Sequence, residues 1–390
     1  MAKDYCHSNN NNWSNSVFCM MTNETINIFA LSKQDTSVMK GIAIIAMLCH
    51  HVYTCQPEWV EAYPSLLTTI GGLGKVCVAM FLFCSGYGLA VQYEKVLGLT
   101  TCLIDKLRTT IVFIIKRLIK FYSAYWFVFL IFVPITVFCF DRPLSAAYGE
   151  NVNIVKRLFW DILGIQGFQS YNITWWFNRL IIIFYLAFPI LYALIKYSKW
   201  LGLVLCFVAM RFADKFGILN YYSLILWQFP FVLGIGWAVY QEKMASLSKY
   251  VQQYVLWIKI GVILLMMLGV LQRLYNIIPF GNITNIRFDG FLSVLILLVV
   301  ILVIRDLRYI YAILTFLGKH SINIYLIHTF LNGYWCGAHK FLHTSELCRL
   351  GGVNMWILLL ICLIISIVLE YLKDKLYWNR LTKKIVVNIK

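Results

Sequence analysis

Charge is scarce in this sequence. Only 13% of its 390 residues are Asp, Glu, Lys or Arg, against about 25% in a soluble domain. Carboxylates are rarest: 17 acidic residues face 34 basic ones, a formal net charge of +17. No basic stretch alternates with aromatics outside the flanks of apolar runs, which excludes a nucleic-acid partner. The 12 cysteines form no Cys-x-x-Cys pair and fall mostly inside apolar runs, which argues against a zinc site or a disulfide framework. Cys55, Cys336 and Cys348 lie in predicted outer loops, where pairing is left open. His339 and His343 stand four apart in one of those loops, but no third metal ligand accompanies them, so no metal is expected. The asparagine-rich start, MAKDYCHSNNNNWSNSVF, lacks the basic, apolar and small-residue order of a signal peptide. No internal repeat is visible, and no related halves of the kind many carriers show.

What is abundant is apolar length. Hydrophobic residues make up 61% of the chain and aromatics 16%. They collect in runs of about 18–25 residues, enough to cross a bilayer as helices. The expected fold is all-α, a polytopic membrane helix bundle of about ten transmembrane helices. Their limits are near 38–56, 73–93, 121–140, 175–195, 200–213, 221–240, 255–272, 288–305, 319–336 and 354–372, with the fifth span the shortest. VKRLFWDILGIQGF (155–168) is amphipathic and is expected at the interface or as a re-entrant segment. An even count puts both termini on one side. Lys and Arg are about twice as frequent in the segments on that side, which makes it cytoplasmic. The expected organisation is a polar N-terminal tail (1–36), a membrane domain (37–372) and a basic C-terminal tail (373–390).

Against that apolar background the polar residues inside spans carry the information, because ionisable groups there are costly and usually face a cavity. MKGIAIIAMLCHHVY holds Lys40, His50 and His51. Eleven residues are three helical turns plus roughly 20°, so Lys40 and His51 share a face about 16 Å apart, while His50 points about 80° away. Ser321, Tyr325 and His328 recur at spacings of four and three and form one stripe on a late helix. His320, beside Lys319 at the inner boundary, needs no special role. Lys116, Arg117 and Lys120 cluster at the start of the third span, with Lys116 and Lys120 sharing a face. They either anchor the helix as ordinary inside-facing cations or hold an anion. Ser85, Gly86 and Tyr87 interrupt a phenylalanine-rich helix. Gly86 suits close helix approach, while Tyr87 has a packing and a donor role open to it. Trp175 and Trp176 fit an interfacial belt, and Arg179 stands a turn further in, toward a cavity or a second substrate.

Five segments in order resemble the acyltransferase 3 family of integral membrane acyltransferases. KGIAIIAMLCHH resembles the first-helix motif, with Lys40 at the arginine position and His51 at the histidine position. FLFCSGYGL (81–89), KRLIKFYSAYW (116–126), TWWFNRLIIIFYLAFPILY (174–192) and FLGKHSINIYLIHTFL (316–331) follow, and the likeness runs from about residue 36 to 372. Where many members carry a glutamate pair after the Trp-Phe, this chain has NRLIIIF. The resemblance implies a bacterial-type O-acetyltransferase-like enzyme in the cytoplasmic (inner) membrane. The donor would be acyl-CoA, usually acetyl-CoA, as co-substrate with no bound cofactor. The acceptor would be an envelope polysaccharide or lipid-linked glycan.

On that reading His51 is the general base, since imidazole titrates near neutrality and can take a hydroxyl proton; an acyl-histidine intermediate is equally open. Lys40, Lys116, Arg117, Lys120 and Arg179 would bind the substrates. Ser85, Tyr87, Trp176, Ser321, Tyr325 and His328 would support the site. A proton-coupled transporter or glycan flippase is the alternative, since the same buried groups can serve a proton path.

Overall fold

Ser32 and Asp35 start the first helix. The Ser32 hydroxyl accepts from the Asp35 N–H at 3.1 Å, and the Asp35 carboxylate accepts from the Ser32 N–H at 2.7 Å. This reciprocal capping box satisfies two otherwise orphaned donors. Arg305 grips the same carboxylate with two bonds, Nε at 2.9 Å and Nη2 at 2.8 Å, and the Tyr311 hydroxyl adds a third donor at 3.0 Å.

The structure is a computed structural model that describes residues 27–55, 63–98, 102–216, 224–275, 288–335 and 352–389, with positions 277, 338, 340 and 342. The described residues form helices and turns and no strand. In chain order the helices are α1 (Lys33–Tyr53), α2 (Ser65–Leu73), α3 (Cys77–Leu97), α4 (Leu103–Cys139), α5 (Leu144–Tyr148), α6 (Ile154–Ile162), α7 (Trp176–Ser198) and α8 (Trp200–Lys215). They continue as α9 (Leu224–Met244), α10 (Leu247–Gln253), α11 (Val255–Tyr275), α12 (Asp289–Leu302), α13 (Arg308–Lys319), α14 (Ser321–Thr329), α15 (Val353–Lys375) and α16 (Trp378–Asn388). A 3₁₀ turn, Gly74–Val76, joins α2 to α3, and a π turn, Phe330–Tyr334, prolongs α14.

Among the described residues, seven helical segments are long and apolar enough to cross a membrane: α1, α2 with α3, α4, α7 with the turn before it, α9, α11 and α15. An eighth forms if α13 and α14, bent by 62° at His320, count as one span. The fifth and eighth expected spans are shorter, with 16 residues in α8 and 14 in α12. The basic segment between the second and third expected spans, 94–120, is mostly helix. No glycine or proline occurs between Cys102 and Val133, so nothing stops α4, whose 37 residues reach about 55 Å and overshoot a hydrocarbon core of about 30 Å. Most of the expected basic tail is also a helix. The indole of Trp378 in α16 donates to the Ser123 carbonyl at 3.0 Å and hydroxyl at 2.9 Å. Of the polar N-terminal tail, residues 1–26 lie outside the described part. Residues 27–32 are tied down, with Arg305 also donating to the Ile28 carbonyl at 2.8 Å.

α1 lies at the centre, packed against α2, α3 and α13 and touching α12, α14 and α15. Val38, Met39, Ala43, Ile44 and Leu48 are fully buried there. α11 is peripheral, with Leu264, Met267 and Leu268 exposed. The closest crossings use glycine. A Cβ on Gly86 would collide with the Phe231 carbonyl and one on Gly234 with the Phe83 carbonyl, so α3 and α9 meet backbone to backbone. Gly318 faces the Ser37 carbonyl in the same way, where α13 crosses α1. Close approach through small residues is how apolar helices gain dispersion energy in lipid, where no hydrophobic force drives them together. This agrees with the packing role expected of Gly86.

In the segment 155–168 the short helix α6 gives way to a turn with positive φ at Gly164 and Gly167. Val155 and Phe159 of α6 are exposed, while Asp161 is fully buried. Its carboxylate accepts from the Tyr148 hydroxyl at 2.7 Å and the Tyr171 N–H at 2.6 Å, and its carbonyl accepts from the Tyr125 hydroxyl at 2.6 Å. Burial pushes the Asp161 carboxyl above its usual range, although the bonds from Tyr171 and Tyr148 pull the other way.

Two outcomes follow from these contacts. Gly86→Val or Gly318→Val should lower the melting temperature of the detergent-solubilised protein, at a cost of about 1–3 kcal/mol from overpacking. Gly261→Ala, which meets open space inside α11, should not lower it. For Asp161 the folded value lies above the unfolded one, so ionising it costs stability as pH rises through the unfolded value and then the folded one. The melting temperature of the native protein should therefore fall relative to Asp161→Asn as pH rises above about 4; parallel curves would contradict it.

Candidate active site

The last turn of α1 carries His50 and His51. A helix ends with unsatisfied carbonyls, and here side chains meet them. Thr54 donates its hydroxyl to the His50 carbonyl at 2.6 Å, and the Asn332 amide donates to the His51 carbonyl at 3.2 Å. Asn332 sits in the π turn after α14, a wide turn of a kind frequent at functional sites.

The His51 ring lies 4.8 Å from that of His328, centroid to centroid, and 5.4 Å from that of His50. His328 is fully buried behind it. His328 Nδ1 is 2.8 Å from the Tyr325 carbonyl and Nε2 is 3.2 Å from the Thr329 hydroxyl. A carbonyl only accepts, so Nδ1 carries the proton and the bare Nε2 of the neutral ring takes the hydroxyl. The Thr329 oxygen lies 3.0 Å from that of Thr174, whose hydroxyl donates to Asn172 at 2.7 Å. Tyr325 is held through its hydroxyl by the Thr174 carbonyl at 3.0 Å and Asn178 Oδ1 at 3.1 Å. The stripe Ser321, Tyr325, His328 is thus one face of α14 turned toward α1 and α7.

Three cavities with shared lining residues follow one another beside α1. The innermost, about 70 Å³, is lined by His50, His51, Lys75, Trp176, Phe177 and Tyr325 among others. The middle one, about 150 Å³, shares Phe81, Phe177 and Tyr325 with it and adds Lys40, Ser85, Tyr185 and Ser321. Lys40, Ser85 and Tyr185 then recur in the wall of an outer chamber of about 700 Å³. That chamber is lined by Lys33, Lys40, Lys95, Arg117 and Lys120 and by no carboxylate. It lies at the end of the bundle where α1 begins and α3 ends.

The expected residues fall out as follows. His51 lines the innermost cavity and Lys40 the middle one and the outer chamber, and the first two share Phe81, Phe177 and Tyr325. His50 lines the innermost cavity as well, against the 80° separation expected of it. Its Nδ1 sits 3.0 Å from the Gly71 carbonyl and 2.9 Å from the Thr54 hydroxyl, which turns the ring along the cavity wall. Arg117 and Lys120 reach the outer chamber, but Lys116 is not among its lining residues, because it lies about 100° around the helix from Arg117. Tyr87 lines the outer chamber far from His51, and its hydroxyl is 2.9 Å from Gln241 Oε1 and 3.0 Å from the Leu31 carbonyl, so it pins the chain before α1. Arg179 is exposed against Gly167. The inward face of α7 is Asn178, Ile181 and Tyr185, spaced three and four, and Arg179 is one residue off that stripe. Ser85, Trp176, Ser321 and Tyr325 all line the cavities. His320 bonds Ser366 at 2.9 Å in a polar cluster with Asn323 and Glu370. His339 and His343 lie outside the described residues, as do Cys336 and Cys348. Among the described residues no cluster of His, Cys, Asp and Glu could hold a metal.

Sequence reasoning missed Lys75, a lone cation in the apolar run GGLGKVCVAMF that the length of the run made visible. It also missed a buried ion pair, Arg273 Nε to Asp289 at 2.6 Å, whose members are far apart in sequence.

Comparison with known proteins bears on what this arrangement belongs to. No curated protein and no solved structure matches the chain. The acyltransferase 3 family, described as an acyltransferase domain, matches residues 35–373, from the capping Asp35 to Lys373 near the end of α15. The chain, an all-helical bundle of apolar spans, therefore belongs to the acyltransferase 3 family of integral membrane acyltransferases.

Proposed function

We propose that the protein moves an acyl group, most simply acetyl, from cytoplasmic acyl-CoA to a hydroxyl of a cell-envelope glycan or lipid-linked sugar, with His51 as general base. The observation that carries this reading is the series of cavities from a chamber with five cations and no carboxylate to the His51 ring. A donor carrying several phosphates suits the chamber, where Lys33, Lys40, Lys95, Arg117 and Lys120 supply charge-assisted bonds. A narrow, unbranched arm suits the middle cavity beyond Lys40, and its thioester would end beside His51. The basic end would be the cytoplasmic one, in a bacterial inner membrane, in keeping with the excess of Lys and Arg there.

In the reaction the acceptor hydroxyl attacks the thioester carbonyl as His51 takes its proton. The carbon–sulfur bond breaks, and the same ring returns the proton to the departing thiolate. His51 lies in the last turn of α1, where the carbonyl end of the helix dipole favours a cation. That location stabilises the imidazolium formed on the way. His328, its tautomer set by Tyr325 and Thr329, packs against His51 and fixes its orientation. Lys75 and Trp176 line the same cavity on the acceptor side.

Membranes holding the protein, radiolabelled acetyl-CoA and an extracted glycan fraction test the reading. Label should enter glycan, and His51→Ala, expressed at normal level, should lower the rate by about 10²–10⁴-fold. Full turnover without the imidazole would overturn the role of His51. Movement of unmodified glycan without label transfer would place the chain among carriers. Lys40→Ala should raise the apparent KM for acetyl-CoA by roughly tenfold, the loss of one charged hydrogen bond, with kcat little changed. A fall in kcat at unchanged KM would contradict the donor role.

A further inference from the structure

A second large cavity lies beside the outer chamber and takes no part in the reading above. It measures about 590 Å³ and sits between α4, α14, α15 and α16. Its polar wall is Lys120, Lys373, Lys383, Glu370, Asn379 and Thr382, and Val386 and Val387 of α16 form an apolar patch. Three lysines against one glutamate leave that wall at +2.

The wall is built rather than incidental. Lys373 is only 4% exposed. Its ammonium donates to Glu370 at 2.7 Å and to Asn323 Oδ1 at 2.9 Å, and Asn323 in turn donates to Glu370 at 2.8 Å. The single carboxylate is thus occupied from within the protein. The α16 side is fixed by the Trp378 indole on Ser123, by the Trp378 ring 5.5 Å from that of Phe127, and by a 2.7 Å bond between the Ser123 and Thr382 hydroxyls. A basic tail serving only to orient the chain has no need of such docking.

Two residues join this cavity to the others. Lys120 lines both it and the outer chamber, and Ile322 lines both it and the middle cavity. One extended molecule can therefore lie across Lys120 with part of its length in each.

Resting on the acyl-CoA reading, we propose that this second cavity holds the 3′-phosphorylated adenosine end of the donor, and that α16 is a wall of the donor site. The diphosphate lies on the outer chamber's cations. The ribose 3′-phosphate, a compact dianion, meets Lys120 and Lys383; the Asn379 amide, which donates one N–H to Asp374 Oδ1 at 2.6 Å, has its second N–H for the phosphate. The adenine face lies on Val386 and Val387. A phospholipid headgroup offers the same phosphate chemistry, and the experiment separates the two sources.

The purified protein in neutral detergent is assayed with acetyl-CoA and with 3′-dephospho-acetyl-CoA, as wild type, Lys383→Ala and Asn379→Ala. Wild type should show a KM about tenfold lower for acetyl-CoA, the effect of one charged contact. Lys383→Ala should raise that KM to the level of the dephosphorylated donor and leave the KM for the latter and both kcat values unchanged. Asn379→Ala should shift KM in the same direction by less. Equal KM values for the two donors in wild type would overturn the inference. So would a Lys383→Ala defect that is the same for both donors, or one that added anionic phospholipid vesicles repair, since that assigns the cavity to a lipid headgroup. No transfer from either thioester by the wild type would instead be failure of the acyl-CoA reading itself.

Discussion

The bidentate pair between Arg305 and Asp35 fixes the first turn of α1, and the functional geometry is measured from that turn. Asp35 is 2% exposed, so its charge must be met from within. Arg305 meets it from the segment before α13, and in doing so ties that segment, the chain at Ile28 and the start of α1 to one point. From there α1 runs as a rigid rod past Lys40 to His51. Asn332 holds the other end by the His51 carbonyl. A helix gripped at both ends, with glycine contacts at its crossing with α13, has little freedom to slide or rotate, and the Lys40–His51 line is correspondingly stiff.

Among the described residues, the polar groups named above either find partners or line a cavity, as the absence of water in hydrocarbon favours. His328 illustrates the first case, with both ring nitrogens engaged. The cations of the outer chamber illustrate the second. Lys33, Lys40, Lys95, Arg117 and Lys120 line that chamber with no carboxylate among them, so like charges gather there; on the proposed reading an anionic donor would relieve their repulsion.

What was legible in the sequence was whatever a single helix encodes. Lys40 and His51 emerged because eleven residues return a helix to the same face, and Ser321, Tyr325 and His328 because three and four do. Residues next to a stripe were placed less well. Arg179 drew attention by its charge, yet Asn178 is the one that turns inward, and Lys116 and Arg117 differ by a rotation that no spacing within their own run fixes. Features that join distant segments were not legible. The Arg273–Asp289 pair, the seating of Trp378 on Ser123 and the alignment of three cavities all depend on how helices are arranged around one another. The third span was expected only from 121, after a charge-rich stretch, whereas α4 begins at Leu103. In α4 the absence of a helix breaker outweighed the charges.

The rings of Phe81, Phe177 and Tyr325 form the shared wall between the innermost and middle cavities. Tyr325 is tethered through its hydroxyl to α7 and to the turn before it, so this collar resists widening. On the proposed reading, the donor's slender arm would pass this collar to bring its thioester to His51. Tightness at these three side chains would then decide how readily water reaches the thioester.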